Sequence, residues 1–389
     1  MSKTTIGVGI VGASMERGWA KTAHVPALHA LEEYEVRGVS ARRQETADRS
    51  ARELGLELAF VDHRRLVERP EIDLVVVSVK VPDHWAVVKD AVAAGKMIYC
   101  EWPLGRSLRE SAEMASLAHT RRVSTVIGLQ GGMSPAVRFA RELVEGGAIG
   151  KPLSTNFRAH IPGGQWTGEL THWQDYTKDR RNGANFLTIG VGHTLEPLAQ
   201  VLGEFVSLSA ISIRQRPDEI SVAGARTLTD APDEVIVVGT LASGVVASIH
   251  YSARASSLGS NVVWEIVGEA GELILSVEDG YFHLEEVAVR LGRPGCAPRS
   301  LPIPERLTAG EPRLSGPPAN VARLYRQFAQ QQTGEVPEVP DFGVAVRRYQ
   351  VLNAIEKSAE SGTRQTLPPV DGQESGAGAN DGQLEGGRT

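Results

Sequence analysis

Two side chains in this sequence are placed to move a proton, His193 and Lys80. His193 follows Gly190-Val191-Gly192 at the start of an expected helix, where two glycines are costly unless a ligand or a backbone segment comes close. A histidine there can act as a general acid or base towards a hydroxyl group. The alternative is a core histidine bonded to a neighbouring carbonyl.

Lys80 follows a β-branched, apolar run over 73–79 that is typical of a strand buried on both faces. A lysine that is partly desolvated at the end of such a strand can have a lowered pKa and serve as an acid or base. It can equally be a static cation that contacts a cofactor ribose or Glu101. Both alternatives stay open.

A glycine turn near the N-terminus is the expected seat of a phosphate group. Residues 7–12 match the GxGxxG spacing, but Gly7 and Gly9 lie inside the apolar strand, where no pyrophosphate reaches them. The strand ends at Gly12, and Gly18 lets the next helix begin close to the sheet. The predicted dinucleotide turn comprises Gly12, Ala13, Ser14 and Gly18, followed by Trp19.

The second expected strand, over 34–39, ends in Ser40-Ala41-Arg42-Arg43. A site that prefers NAD carries Asp or Glu there for the ribose hydroxyls, whereas arginines suit a 2′-phosphate. Ser40, Arg42 and Arg43 therefore predict a preference for NADP(H), with NAD(H) as the second choice. The alternative is that both arginines are ordinary solvated residues at a helix start.

A polar loop over 163–182 is too long for a simple connection. Trp166, Trp173 and Tyr176 can stack on a sugar ring, and Asn182 can bond its hydroxyl groups. The loop therefore predicts a site for a sugar-like small molecule. The alternative is that the tryptophans pack the loop on a sheet or at a subunit contact.

The elements that position these residues fall into two groups. Strands alternate with helices of 10 to 15 residues up to about residue 128, which predicts a doubly wound parallel sheet, and in such sheets ligands bind beyond the carboxyl ends of the strands. From residue 149 strands follow one another through hairpin turns such as 242–244, which predicts a large, open, mostly antiparallel sheet. The expected limits are a dinucleotide-binding Rossmann domain over 1–128, an α+β domain over 129–366 and a disordered tail over 367–389.

Composition excludes several classes of protein. The net charge of −6 is spread along the chain without a basic block, so no basic patch for binding nucleic acid is expected. No apolar run reaches the length of a membrane span, and the N-terminus has no signal region, so a cytoplasmic protein without a membrane partner is expected. Cys100 and Cys296 lie outside any CxxC pattern, so neither a disulfide framework nor a metal site is expected.

The motifs together resemble the Gfo/Idh/MocA oxidoreductases over about residues 5–366. The resemblance is carried by the turn 12–20, Val79-Lys80-Val81-Pro82 with His84, Glu101-Trp102-Pro103-Leu104, Gly128-Leu129-Gln130-Gly131, Ser134-Pro135 with Gly147-Ala148-Ile149-Gly150, and Gly192-His193. Within the family, the residues of these motifs are most similar to those of the fungal galactose-regulon repressor branch. The resemblance implies a nicotinamide cofactor, a sugar or polyol substrate, and a homodimer or homotetramer formed through the exposed face of the second sheet.

The resemblance also implies site residues. It gives His193 and Lys80 catalytic roles and places His193 at the substrate as well. It implies cofactor contacts at the glycine turn, at Ser40, Arg42 and Arg43, and at Lys80, Pro82, His84, Glu101, Trp102, Pro103 and Gln130.

Two positions depart from the family's enzymatic pattern. Trp102 stands where a lysine should polarise the reacting oxygen, and Thr188 stands where an acid is usual. An indole cannot donate a proton from a charged amine. Three functions therefore stay open: an oxidoreductase, a cofactor-sensing regulator with a protein partner, and an enzyme that uses its cofactor as a transient oxidant for elimination, epimerisation or glycoside cleavage.

Overall fold

The N-terminal part of the chain folds around a parallel sheet of six strands in the order β3-β2-β1-β4-β5-β6. The computed structural model describes residues 5–161, 175–215, 218–220, 226–254, 257, 260–309, 313–335 and 339–369. The strands are β1 Ile6–Val11, β2 Tyr34–Ser40, β3 Leu58–Phe60, β4 Leu74–Val77, β5 Met97–Glu101 and β6 Thr125–Gly128. Every residue of β4 is buried, as its apolar run predicts.

Helices connect these strands as the alternating pattern predicts. A π-helical turn over Ala20–His24 precedes α1, which ends at His29, and Pro26 lies in the first turn of α1, where a missing N–H is tolerated. The helices of this part are α1 Val25–His29, α2 Gln44–Leu54, α3 His63–Val67, α4 Val81–Ala93 and α5 Leu108–Thr120. Gly55 ends α2 with φ of 69°, a left-handed conformation that favours glycine.

The second part is built on a nine-stranded sheet in the order β16-β15-β14-β13-β7-β12-β11-β8-β17. Only the β7–β12 pair is parallel, so the predicted fold class, a Rossmann sheet followed by a mostly antiparallel one, is confirmed. Its strands are β7 Pro152–His160, β8 Phe205–Ile213, β11 Glu234–Leu241, β12 Val246–Ser252, β13 Val262–Gly268, β14 Gly271–Val277, β15 Ala288–Arg293, β16 Cys296–Leu301 and β17 Gln365–Thr366; β9 Asp218–Ile220 and β10 Arg226–Leu228 pair separately.

The nine-stranded sheet has one buried and one open face. Phe157, Tyr251 and Trp264 fill the buried face. The open face presents Val246 and Ile211, which are 59% and 55% exposed. It is therefore an apolar surface that the described residues leave uncovered.

The remaining helices join the two parts. They are α6 Pro135–Glu145, α7 Gly192–Leu202, α8 Pro317–Gln332 and α9 Phe342–Ser361. Tyr325 and Phe328 of α8 belong to the same core cluster as Val8 and Ile10 of β1. The C-terminal helices thus support the N-terminal sheet, while the domain limits 1–128, 129–366 and 367–389 stay a prediction. No helix among the described residues is both long and apolar enough to cross a membrane.

Candidate functional site

The glycine turn lies where β1, β2 and β4 end side by side. Gly12 and Gly18 have φ of 96° and 99°, which side chains rarely adopt. The amide of Gly12 donates to the carbonyl of Ser40 at 2.8 Å, and a Cβ on Gly12 would lie 2.4 Å from the carbonyl oxygen of Ser78. Ala13 is buried beneath the turn and Ser14 is half-buried. The turn therefore follows β1 at the point where the strand order reverses, the usual position of a dinucleotide.

Buried polar atoms around this end of the sheet have no hydrogen-bond partner among the described residues. They are the indole Nε1 of Trp19, the hydroxyl of Ser78 and the amide oxygen of Gln130. An unpaired buried donor or acceptor costs free energy, so such atoms commonly mark a missing water, ion or ligand. The site thus fits a polar ligand such as a dinucleotide, with Trp19 and Gln130 as candidate contacts.

The residues expected to choose between NADP and NAD lie at the end of β2. Ser40 is buried, and its hydroxyl lies 3.4 Å from the carbonyl oxygen of Val61. Arg42 and Arg43 are exposed, and Arg42 pairs with Asp83 at 3.1 Å. Both arginines are therefore accessible to a phosphate, although Asp83 competes for one of them.

Lys80 and Tyr176 meet in space although 96 residues separate them in the sequence. The ammonium of Lys80 lies 4.7 Å from the ring centroid of Tyr176, a cation–π contact. Burial raises the pKa of the Tyr176 phenol to about 12. Asn182 donates its amide to the carbonyl of Tyr176 at 2.8 Å and so connects the two ends of residues 176–182. The structure thus brings the predicted catalytic residue Lys80 against one predicted substrate residue, Tyr176, which Asn182 contacts in turn, while Trp166 and Trp173 lie outside the described residues.

Lys80 lies in the turn between β4 and α4 and is held at the start of that helix. Lys80 occupies the N-cap position of α4, and Pro82 is half-buried in the first turn. His84 is buried with Nε2 and Nδ1 each 3.1 Å from a carbonyl, those of Val79 and Leu104. Burial lowers the pKa of His84. His84 therefore braces this turn, which favours a structural role over a cofactor contact.

Glu101 ends β5 at the edge of the crevice. Its side chain is 14% exposed, and its Oε1 lies 3.0 Å from Nε2 of His24. A Cβ on Gly128 would lie 2.9 Å from both carboxylate oxygens, so a larger residue there would displace the Glu101 side chain. The carboxylate is therefore closely packed from two sides with one edge towards the crevice.

The polar atom of Trp102, its indole Nε1, points away from the crevice. It is 5% exposed, and its Nε1 donates to the carbonyl of Thr188 at 2.8 Å. Its ring packs on Tyr349 with centroids 5.1 Å apart, and the cis-linked Pro103 is buried beside it. Because the indole has one donor, and that donor is used, Trp102 has only its ring edge to offer a cofactor.

Thr188 is also committed to local structure. Its hydroxyl accepts from the amide of Asn185 at 2.9 Å, and Asn185 caps the same helical turn in return. The position where the family usually carries an acid is therefore used to start the helix that leads to His193.

His193 is stacked on a second histidine that the sequence gives no reason to expect. The rings of His193 and His283 lie 3.8 Å apart with 7° between their planes. Burial lowers the pKa of His193 to about 3, and burial and the neighbouring His193 lower that of His283. His193 is thus a neutral imidazole whose Nδ1 is buried and unpaired among the described residues.

Close side-chain packing explains the two glycines before His193. A Cβ on Gly190 would lie 2.9 Å from the ring of Tyr251, and one on Gly192 would lie 2.6 Å from Nε1 of Trp102. Of the described residues, aromatic side chains and not a backbone segment come closest to these two glycines.

Other features of the described residues lie apart from this crevice. A groove of about 700 Å³ between α5, α8 and α9 is lined by small or amide side chains such as Ala115, Ser116 and Gln331. It has no unpaired buried polar atom in its lining. No three His, Cys, Asp or Glu side chains in the described ranges are placed to hold a metal ion.

Two family models match separate parts of the chain. Residues 6–129 match an oxidoreductase family with an NAD-binding Rossmann fold, and residues 135–277 match the C-terminal domain of Gal80p. The first match covers the crevice, and the second covers α6 to β14 with His193.

The similar proteins include both enzymes and a repressor. Dehydrogenase aclE of Aspergillus oryzae is 29% identical over 378 residues, which are 93% of this chain and 98% of that protein. Levoglucosan dehydrogenase of Pseudarthrobacter phenanthrenivorans is 26% identical over 305 residues, which are 70% and 74% of the two chains. A crystal structure of a super-repressor mutant of Gal80p from Saccharomyces cerevisiae has the same fold, with a TM-score of 0.83 at 23% identity, covering 93% of this chain and 98% of that one.

Proposed function

The chain belongs to the Gfo/Idh/MocA oxidoreductase family, close to its Gal80 branch, and on that premise we propose that it is an NAD(P)-dependent oxidoreductase acting on a sugar, a polyol or a related cyclic carbonyl or imine compound. The observation that carries the proposal is the pairing of a dinucleotide turn at the switch point of the sheet with a neutral, unpartnered His193. Similarity to two dehydrogenases, one of them named for the sugar derivative levoglucosan, supports it.

The cofactor site is assigned to residues at the carboxyl ends of the strands. The glycine turn would hold the pyrophosphate, and Ser40, Arg42 and Arg43 would meet the adenosine ribose, where a 2′-phosphate would give the preference for NADP(H). Trp19 and Gln130 would satisfy their unpaired atoms on the bound molecule. A nicotinamide cofactor supplies the hydride acceptor or donor that no side chain provides.

Proton transfer is assigned to His193, and binding of the reacting substrate oxygen is assigned to Lys80. A neutral imidazole can accept the proton of a substrate hydroxyl without first losing one of its own. Lys80 would hold and polarise the reacting oxygen, in place of the lysine that Trp102 replaces. Tyr176 and Asn182 would flank the ring of the substrate.

The proposal is tested by titrating NADPH and NADH into the protein and then following the nicotinamide absorbance with a panel of sugars, polyols and cyclic imines. Binding of NADPH in preference to NADH, followed by an absorbance change with one class of compound, is the expected result. Binding without any absorbance change over the whole panel would count against an oxidoreductase.

The second candidate, a cofactor-sensing regulator, is favoured by the Trp102–Thr188 contact. Both positions that depart from the enzymatic pattern are used for packing there. A regulator would bind the nucleotide tightly, show no turnover and retain a protein partner from the source cell. The third candidate, a transient oxidant, would put solvent deuterium into its product without net redox change.

We also propose that the chain forms a homodimer or homotetramer through the open face of the nine-stranded sheet. The apolar side chains that share this face include Ile211, Val238 and Val246, which are 55%, 49% and 59% exposed. Covering them stabilises an assembly by removing apolar surface from water. The free thiols of Cys100 and Cys296 suit a reducing compartment, so we propose a cytoplasmic location.

A further inference from the structure

A chain of buried polar side chains runs from Glu101 into the interior of the protein. His24, in the helical turn after the glycine turn, is fully buried at 0% exposure. Its Nε2 lies 3.0 Å from Oε1 of Glu101, a direct polar contact outside the angular range of a hydrogen bond. On the other side of the ring, Nδ1 shares a 2.7 Å hydrogen bond with the hydroxyl of Tyr325.

The imidazole of His24 is held from several sides. The ring of Tyr99 meets it edge-on at 5.1 Å, and the ring of Tyr325 lies 5.8 Å away. Tyr325 is fixed in turn, because its backbone carbonyl accepts from the hydroxyl of Tyr34 at 2.6 Å. Rotation of the His24 ring would break the bond to Tyr325 and open a void in a packed core.

The imidazole of His24 positions the carboxylate of Glu101. Of the described residues, only His24 has a basic nitrogen within ion-pair distance of the Glu101 carboxylate. The other wall is Gly128, which offers no side chain. The position of the carboxylate at the crevice edge is therefore set by one buried imidazole.

We propose that His24 is a positioning residue for cofactor binding: held by Tyr325, it fixes the Glu101 carboxylate in the orientation that meets the bound dinucleotide. The inference rests on the proposed function, because it gives Glu101 a contact with the cofactor. It also makes α8, which lies more than 200 residues after the glycine turn, part of the support of the cofactor site.

A double-mutant cycle on nucleotide affinity tests this inference. Calorimetric titration with NADPH, and separately with NADH, compares wild type, His24→Phe, Glu101→Ala and the double variant. Losing the carboxylate contact with the nucleotide is expected to raise the Kd about tenfold for Glu101→Ala, and losing the ring that positions the carboxylate about fivefold for His24→Phe. Because His24 acts through Glu101, the double variant should bind no more weakly than Glu101→Ala alone.

Tyr325→Phe and Tyr34→Phe are the matched pair of controls. Each removes one buried hydroxyl from the same cluster, and each should lower the melting temperature. Only Tyr325→Phe removes the hydroxyl that bonds the His24 ring, whereas Tyr34 bonds the backbone of Tyr325, so only Tyr325→Phe should raise the Kd. An equal effect of both variants on the Kd would reduce His24 to a general stabilising residue and overturn the inference.

The remaining outcomes also decide it. His24→Phe binding as tightly as wild type, or a loss that multiplies with that of Glu101→Ala, contradicts a path through Glu101. If wild type binds neither nucleotide, the proposed function fails instead. Crystal structures of wild type and His24→Phe then decide the inference, because a displaced Glu101 carboxylate supports it and an unmoved one contradicts it.

Discussion

The indole N–H of Trp102 donates to the backbone carbonyl of Thr188 at 2.8 Å, so the two positions where the sequence departs from the enzymatic pattern of its family touch each other. The contact joins the end of β5 to the helical turn that leads to His193. It fills that corner with an aromatic ring, and Lys80 is left as the basic side chain assigned to the substrate oxygen.

Trp102→Phe tests whether this contact is structural. The change leaves the Thr188 carbonyl without its buried donor, which should lower the free energy of unfolding by about 1–3 kcal/mol. The affinity for NADPH should stay unchanged, because the polar atom of Trp102 points away from the crevice. Urea unfolding and calorimetric titration measure the two effects, and a large rise in Kd at unchanged stability would restore Trp102 as a cofactor contact.

Lys80→Met tests the residue assigned to the substrate oxygen. Turnover should fall roughly a hundredfold or more, because a charged donor aimed at the reacting oxygen is lost. The Kd for NADPH should change little. Lys89→Met, an exposed lysine on the same helix, is the control and should behave as wild type. If both variants turn over alike, Lys80 is a bystander.

Arg42→Ala with Arg43→Ala tests the nucleotide preference. Removing two exposed cations should weaken NADPH binding about tenfold or more while NADH binding changes little, since only NADPH carries the 2′-phosphate. Arg52→Ala, at the other end of α2, controls for net charge. Equal losses for both nucleotides would mean that the arginines do not read the phosphate.

The buried histidines predict a loss of stability in acid. His193 has a pKa lowered from 6.5 to about 3, so the unfolded chain binds a proton that the folded chain does not. Its contribution is complete above pH 6.5 and falls by about 1.4 kcal/mol per pH unit as the pH drops towards 3. His283, lowered in the same direction, adds to this slope.

His283→Phe isolates that effect. Phenylalanine keeps a flat ring against His193 but cannot titrate, so the free energy of unfolding should fall less between pH 7 and pH 5 than in wild type. His119→Asn, an exposed histidine on α5, should leave the slope unchanged. Urea denaturation at the two pH values measures it, and identical slopes for all three proteins would show that His283 titrates normally.

Ile211→Glu with Val246→Glu tests the open face of the sheet. Two carboxylates on an apolar face should prevent association, because burying unpaired charge is costly. Light scattering after gel filtration should show a dimer or tetramer for wild type and a monomer for this variant. Thr120→Glu on α5 should keep the wild-type assembly. A wild-type monomer would remove the proposed interface.

Local patterns in the sequence predict much of this fold. The apolar run of β4 and the turn at Gly12 depend on neighbouring residues, and both are found as expected. The open face of the second sheet follows from strand alternation in the same way.

Local sequence patterns do not predict contacts between distant segments of the chain. His283 lies 90 residues after His193, and no spacing links them. The glycines before His193 are explained only by the rings of Trp102 and Tyr251, which reach them from elsewhere in the chain. No local pattern predicts β15 and β16 either, since five of the six residues of β16 are exposed and it has no buried apolar alternation. Side-chain packing across the fold, and not local propensity, sets these parts.

The measurement that tests the central claim most directly is the nicotinamide absorbance of NADPH- and NADP-loaded protein over the panel of sugars, polyols and cyclic imines, run side by side for wild type, His193→Asn and Lys80→Met. We predict a change for wild type with at least one class of compound, strongly reduced in both variants although each still binds the nucleotide. A wild type that binds the nucleotide tightly and gives no change with any compound would contradict the account and favour a regulator.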